Sequence, residues 1–112
     1  MKGNDAEHTA LRYLQRQHLQ LVAQNYRCRF GEIDLIMREG NTLIFVEVRQ
    51  RSAPWHGGAA ASITAAKQSK LLQTARHYLA GIGYEPACRF DALLLSGADG
   101  QEIEWIKNAF GE

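Results

Sequence analysis

The stretch GEIDLI, Gly31 to Ile36, followed by TLIFVEVRQR, Thr42 to Arg51, decides the fold. The second run is rich in β-branched and aromatic residues. The REGN between them (38–41) has turn chemistry, with Gly40 and Asn41 able to take positive φ. An antiparallel hairpin follows. Side chains alternate across a strand, so Glu32, Asp34 and Ile36 point one way and Ile33, Leu35 and Met37 the other. On the second strand Phe45, Glu47 and Arg49 share a face, opposite Ile44, Val46 and Val48. If Arg38 pairs with Leu43 around a four-residue loop, Asp34 lies opposite Glu47, and Ile33, Leu35, Val46 and Val48 share the packed face. A slip by one residue would mix polar and apolar faces, which a sheet resists. The pattern therefore predicts a cluster of Asp34, Glu47 and Arg49.

Outward from the hairpin, residues 4–20 read as a helix. Asn4 is its candidate cap, Glu7 stands in the capping-box position, and Ala6, Ala10, Leu11 and Leu14 recur at helical spacing. LVAQNYRCRF (21–30) reads as a strand, EIDLIM (32–37) as the next and TLIFVEVRQR (42–51) as the third. SAPWHGGAAAS (52–62) is loop-like. Residues 64–80 form a second helix with Ala65, Ala66, Leu71, Leu72, Ala75, Tyr78 and Leu79 as its apolar set and Gly81 as its stop. CRFDALLLS (88–96) and IEWIKNAF (103–110) complete the strands. The order αβββαββ predicts an α/β fold with a central mixed sheet flanked by helices, in a single domain spanning 1–112.

Composition narrows the function classes. The chain has 112 residues, 46% of them hydrophobic and 22% charged, which is ordinary for a globular protein. No run is apolar enough for a membrane helix, and the N-terminus lacks the apolar core of a signal peptide, so no membrane association and a cytoplasmic location are expected. Cys28 and Cys88 stand far apart, and the histidines are scattered, so no zinc motif exists and the thiols are expected to be reduced and structural. A net charge of +1 argues against indiscriminate nucleic-acid binding but leaves room for a local basic patch.

Two carboxylates opposed on a sheet repel one another, and something must offset that. A shared cation is one answer, since Mg²⁺ takes one or two carboxylates plus water and substrate phosphate. Arg49 bridging both acids is another. A simply solvated polar sheet face is the third.

GEIDLI followed by FVEVRQR resembles the YraN-like family of small bacterial proteins. NYRCRFGEIDLI, the VEV strand with its basic continuation, KQSKL, RFD and NAF extend the resemblance over most of the chain. That family in turn is similar to the restriction-endonuclease-like PD-(D/E)xK superfamily, especially archaeal Holliday-junction resolvases. The resemblance implies a restriction-endonuclease-like core and a divalent-metal-dependent DNA endonuclease acting on branched or structured DNA. It implies Mg²⁺ or Mn²⁺ as cofactor, DNA as partner and a homodimer. Glu7 matches the acid of the first helix, Asp34 the hairpin acid and Glu47 the first residue of Glu-x-Lys. The metal would be held by Asp34, Glu47 and the backbone carbonyl of Val48. Arg49 falls where the lysine stands.

Arginine keeps the charge and offers a forked donor set to phosphate, but its pKa is too high for it to take a proton from water. Arg51, Lys67 and Lys70, with Arg76 beyond them, are candidate contacts to backbone phosphates, Lys67 and Lys70 lying with Ser69 on the first turns of the second helix. Trp55 is a candidate for stacking on an unpaired base. Tyr26, Phe30, Tyr78 and Phe90 are expected in the core. The alternative function is a noncatalytic nucleic-acid-binding protein with a degenerate nuclease site, and a third is an adaptor domain with no nucleic-acid role.

Overall fold

The computed structural model describes residues 3–50, 63–97 and 101–110. Its elements run α1 (Gly3–Arg16), β1 (Gln20–Cys28), β2 (Gly31–Glu39), β3 (Thr42–Gln50), α2 (Ala65–Ile82), β4 (Ala87–Ser96) and β5 (Glu102–Phe110). The order αβββαββ is the one the sequence predicts. The strands form one mixed sheet in the order β1-β2-β3-β4-β5, antiparallel except for the β3–β4 pair. Parallel neighbours need a long crossover, and α2 lies in the one between β3 and β4.

Both faces of the sheet are covered. Ala10, Leu11 and Leu14 of α1 pack on Leu35, Met37, Ile44, Val46, Leu93 and Leu95. Leu71 and Ala75 of α2 pack on Ile33, Ile36, Leu43, Phe45, Phe90, Ala92 and Leu94. This corrects the expectation of one packed and one polar face. The parallel β3–β4 centre of the sheet is buried on both sides, so its strands carry nearly continuous apolar runs. Ile33 also leaves its expected partners. It lies under α2, whereas Leu35 and Met37 lie under α1, so the alternation of β2 breaks at Asp34.

Element ends follow local chemistry. The first helix stops at Arg16, four residues short of the reading. His18 adopts φ 72, its N–H donates to the Gln15 carbonyl, and the Leu19 N–H donates to the Leu14 carbonyl at 3.1 Å. That pattern is a Schellman closure, and Leu14 and Leu19 bury side by side in the core beneath α1. At the other end the helix already includes Asn4, so Asn4 lies within α1 rather than at its cap. The second helix runs through Gly81 and ends instead at Gly83, φ 79, because a left-handed cap rather than any glycine closes a helix. Its N-cap is Thr64.

The hairpin register is the predicted one, with Arg38 opposite Leu43, but the loop is tighter. Glu39 also pairs with Thr42, leaving Gly40 and Asn41 as the turn. Gly40 alone takes positive φ, as a type II′ turn requires of its first central residue. In α2, Ala65 and Ala66 are exposed, whereas Thr74 is fully buried. Its hydroxyl donates to the Lys70 carbonyl at 2.8 Å, which satisfies the buried group within the helix itself. A Cβ at Gly31 would stand 3.2 Å from Thr74 Oγ1, so the close approach of β2 to α2 needs glycine there.

At the far side of the sheet, Asp91 is fully buried where the β4–β5 register shifts. It accepts from Arg89 Nε at 3.0 Å, Trp105 Nε1 at 2.8 Å and the Asn108 N–H at 2.9 Å. These donors balance a charge that would otherwise be too costly to bury. Among the described residues, no helix is long and apolar enough to cross a membrane.

Candidate functional site

The site lies where the sheet forks. The β2–β3 ladder ends at Leu35–Val46. Beyond that pair β2 continues only with β1, down to Gly31–Cys28, while β3 continues with β4 through Gln50–Leu95. Asp34 and Glu47 are the first residues past the end of the shared ladder. A fork leaves backbone groups without strand partners, and Asp34 fills one such gap: its Oδ2 accepts the Val48 N–H at 2.9 Å. The aspartate thus serves the fold and the site with the same carboxylate.

Glu47 is 4% exposed. Burial, the Asp34 charge and a hydrogen bond with the Asp34 carboxyl push its pKa up to about 7, while Lys67 and Arg49 pull it back in part. Lys67 Nζ lies 3.5 Å from Glu47 Oε2 and Arg49 Nη1 lies 3.7 Å from the same oxygen. Both distances exceed those of a charge-assisted hydrogen bond, near 2.8 Å. The cations therefore compensate Glu47 incompletely, which agrees with its raised pKa.

Glu7, half-buried on α1, approaches from the other side. Its pKa is raised by burial and then by the Asp34 charge, and a hydrogen bond with Asn25 opposes the rise. Asn25 sits in β1 with φ 52, a left-handed conformation that asparagine tolerates. Glu7 is an outer acid next to Asp34. Glu32, which adds repulsion at Glu7, is itself ion-paired with Arg27.

The site residues read from the sequence divide accordingly. Asp34, Glu47, Val48, Arg49 and Glu7 come together at the fork. Lys67, read as a candidate contact to backbone phosphate, also lies 3.5 Å from Glu47 Oε2. Lys70 stands one turn further along α2, its Cβ 3.8 Å from where a Gly31 Cβ would be, and so borders the turn between β1 and β2. Arg51 and Trp55 lie outside the described residues. Asn25 was missed, because an asparagine within a strand-like run gives no signal of its own. Phe90 is buried as expected, whereas Tyr26, Phe30 and Tyr78 are half-buried. Tyr26 forms a hydrogen bond with His77 Nδ1 on α2 at 2.5 Å and meets the Tyr78 ring edge-on, which joins β1 to the helix. Cys28 is half-buried and Cys88 exposed, and the Cys88 thiol donates to the Pro86 carbonyl at 3.3 Å.

Among the described residues, no three His, Cys, Asp or Glu side chains converge as a metal cage. At the fork the oxygen-donor side chains at hand are those of Asp34 and Glu47. Two hard oxygen donors, one buried and incompletely compensated, suit Mg²⁺ or Mn²⁺, which fills its remaining positions with carbonyl, water and phosphate. A cleft of about 540 Å³ opens elsewhere, between α2 and the strands, lined by Phe45, Leu72, Arg76, Leu79, Phe90 and Phe110 among others. No carboxylate is among the described residues that line it.

Fork and sheet together define a small α/β protein with an acid pair, half-buried Asp34 and buried Glu47, flanked by cations at the splayed end of a mixed sheet. Residues 6–95 match the model of the family described as "Uncharacterised protein family UPF0102", and the chain belongs to that family. A UPF0102 protein of Nitrosomonas europaea is 66% identical over 111 residues, covering 99% of this chain and 94% of its own. A UPF0102 protein of Nitrosospira multiformis is 59% identical over 110 residues, covering 98% and 92%. One of Aeromonas hydrophila is 53% identical over 112 residues, covering 97% and 84%.

Proposed function

We propose that the protein is a divalent-metal-dependent endonuclease that hydrolyses DNA, with branched or structured DNA as substrate and a homodimer as the acting form. The observation that carries this reading is the meeting of Asp34 and Glu47 at the fork, with Glu47 buried beside cations that do not fully compensate it. The acids and the Val48 carbonyl would hold Mg²⁺ or Mn²⁺. Bound there, the metal supplies a Lewis acid for the phosphate and lowers the pKa of its water.

The chain's own residues supply the rest. Asp34, fixed by the Val48 N–H, keeps one oxygen for the metal and holds the strand end in place. Arg49 and Lys67 present positive charge to the phosphates of the substrate strand beside Glu47. Arg49 remains protonated and takes no proton from water. In the overall step a water oxygen joins phosphorus, one ester P–O bond breaks, and the proton of the water ends on the leaving oxygen. Glu7 supports Asp34 from outside. Lys70 extends the phosphate path, Arg51 is assigned to phosphate contact from the sequence alone, and the cytoplasm is the location assigned in this reading.

The test is cleavage of end-labelled branched and linear duplexes by the purified protein in Mg²⁺ and Mn²⁺. Cutting that EDTA abolishes, and that Asp34→Asn and Glu47→Gln each reduce by about 100-fold or more, supports the reading. Tight binding of branched DNA without cutting in any metal would reject it. That outcome would favour the second reading, a noncatalytic nucleic-acid-binding protein, for which Arg49 in place of lysine is the specific observation.

A further inference from the structure

The resemblance puts the working cation at position 49, beside Glu47 on the same strand, and there the chain carries arginine. The second helix brings another cation to the same oxygen. Lys67 and Arg49 lie 3.5 Å and 3.7 Å from Glu47 Oε2, and their side chains are 39% and 37% exposed, so both are also open to solvent.

Lys67 is held there by a built turn. Thr64 Oγ1 accepts the Lys67 N–H at 3.2 Å, and the Thr64 carbonyl accepts the Gln68 N–H at 2.9 Å. The Gln68 side chain donates to the Ile63 carbonyl at 3.0 Å, and Ile63 is buried in the core under α2. The start of α2 is therefore anchored on both sides of Lys67, and the stem of that lysine leads over Glu47. The two cations also differ in shape. An ammonium is a compact point charge with three donors, whereas a guanidinium is a broad planar fork. Next to a carboxylate as buried as Glu47, the narrow group fits closer to the reacting centre. The fork suits a phosphate lying further out.

We propose that Lys67, from α2, supplies the cation that contacts the reacting phosphate beside Glu47, and that Arg49 holds a neighbouring phosphate of the same strand. The inference rests on the nuclease reading and deepens it. Lys67 acts here through charge and hydrogen-bond donation.

The test compares wild type with Lys67→Ala, Lys67→Arg, Arg49→Ala and Arg49→Lys in two readouts: single-turnover cleavage of a labelled branched duplex with Mn²⁺, and the salt dependence of binding that duplex. Lys67→Ala should cut about 100-fold more slowly, the scale of losing one donor to a developing oxyanion. Lys67→Arg should recover at least about tenfold of that loss, and Arg49→Ala should cost less than Lys67→Ala. The salt slope should become shallower by about one unit in Lys67→Ala, the signature of one lost phosphate contact. Wild-type cutting by Lys67→Ala, a larger loss in Arg49→Ala, or no recovery in Lys67→Arg overturns the proposal. If the wild type binds but does not cut, the nuclease reading fails by itself. The slope then decides for Lys67: a shallower slope keeps its phosphate contact, and an unchanged slope removes it.

Discussion

Replacing Glu47 by glutamine should stabilise the metal-free protein at neutral and alkaline pH. The carboxyl is 4% exposed, and burial followed by the Asp34 charge raises its pKa from the ordinary 4.5 to about 7. A folded-state pKa above the unfolded one means that the folded protein binds the proton more tightly. The stability this gives is complete below pH 4.5 and is lost as pH rises through 7. At about 1.4 kcal/mol per pKa unit, the gap amounts to roughly 3 kcal/mol. Glutamine keeps the shape without the charge, so its contribution is flat with pH. Urea unfolding in EDTA should then find the two proteins within about 1 kcal/mol at pH 4.5 and the variant more stable by about 2–3 kcal/mol at pH 8. In melting temperature that is roughly 10 °C for a domain of this size. Millimolar Mn²⁺ at pH 8 should close the gap by stabilising the wild type alone, since only the native wild-type site binds it. Parallel pH profiles, or a less stable variant at pH 8, would refute the reasoning. Either result would mean that Lys67 and Arg49 already satisfy Glu47 and that it has no need of a metal.

Asp34→Asn should retain the acceptor for the Val48 N–H and keep stability within about 1 kcal/mol, while Asp34→Ala should cost about 1–3 kcal/mol by leaving that N–H unpaired. Both should lose Mn²⁺ binding by calorimetry, which separates the structural duty of the aspartate from its metal duty. Asp91→Ala should destabilise by about 1–3 kcal/mol in urea unfolding, because it removes the buried acceptor shared by Arg89, Trp105 and the Asn108 N–H. Gly31→Ala should cost about 1–3 kcal/mol, since Gly31 adopts φ +149 and the new methyl meets Thr74 Oγ1. Its folded fraction at moderate urea is the readout.

The parts of the fold legible in the sequence are those governed by period. Ala6, Ala10, Leu11 and Leu14 declare the inner face of α1, and all four are buried. The run of alternation into the Gly40 turn gives the hairpin register, with Arg38 opposite Leu43. Periodicity does not register what a strand does when its neighbours part. The ladder ends just before Asp34, Ile33 turns to the opposite core, and the acids come to lie at a fork between two packed faces rather than on an open polar one. Helix ends were misplaced for a related reason. His18 and Gly83 close their helices through left-handed φ, and only one of these residues has the identity that advertises it.

The candidate site was legible where it lies on one hairpin and obscure where it depends on tertiary approach. Asp34, Glu47 and Arg49 follow from strand geometry. Lys67 reaches Glu47 only because the crossover through α2 returns the helix start to the end of β3, and no spacing in the sequence encodes that distance. Glu7 showed the opposite problem. Its local motif suggested a cap, but α1 begins earlier, and the side chain turns to Asn25 and Asp34 instead.

The central claim is that Asp34 and Glu47 together hold a divalent cation. Its most direct test is a crystal of the wild-type protein soaked in Mn²⁺ at pH 8, with anomalous difference density recorded and Glu47→Gln treated identically. The account predicts a single strong peak between the two carboxylates and the Val48 carbonyl in the wild type, and none in the variant. A fork that stays free of anomalous density at saturating Mn²⁺, with Lys67 and Arg49 still on Glu47, would contradict it.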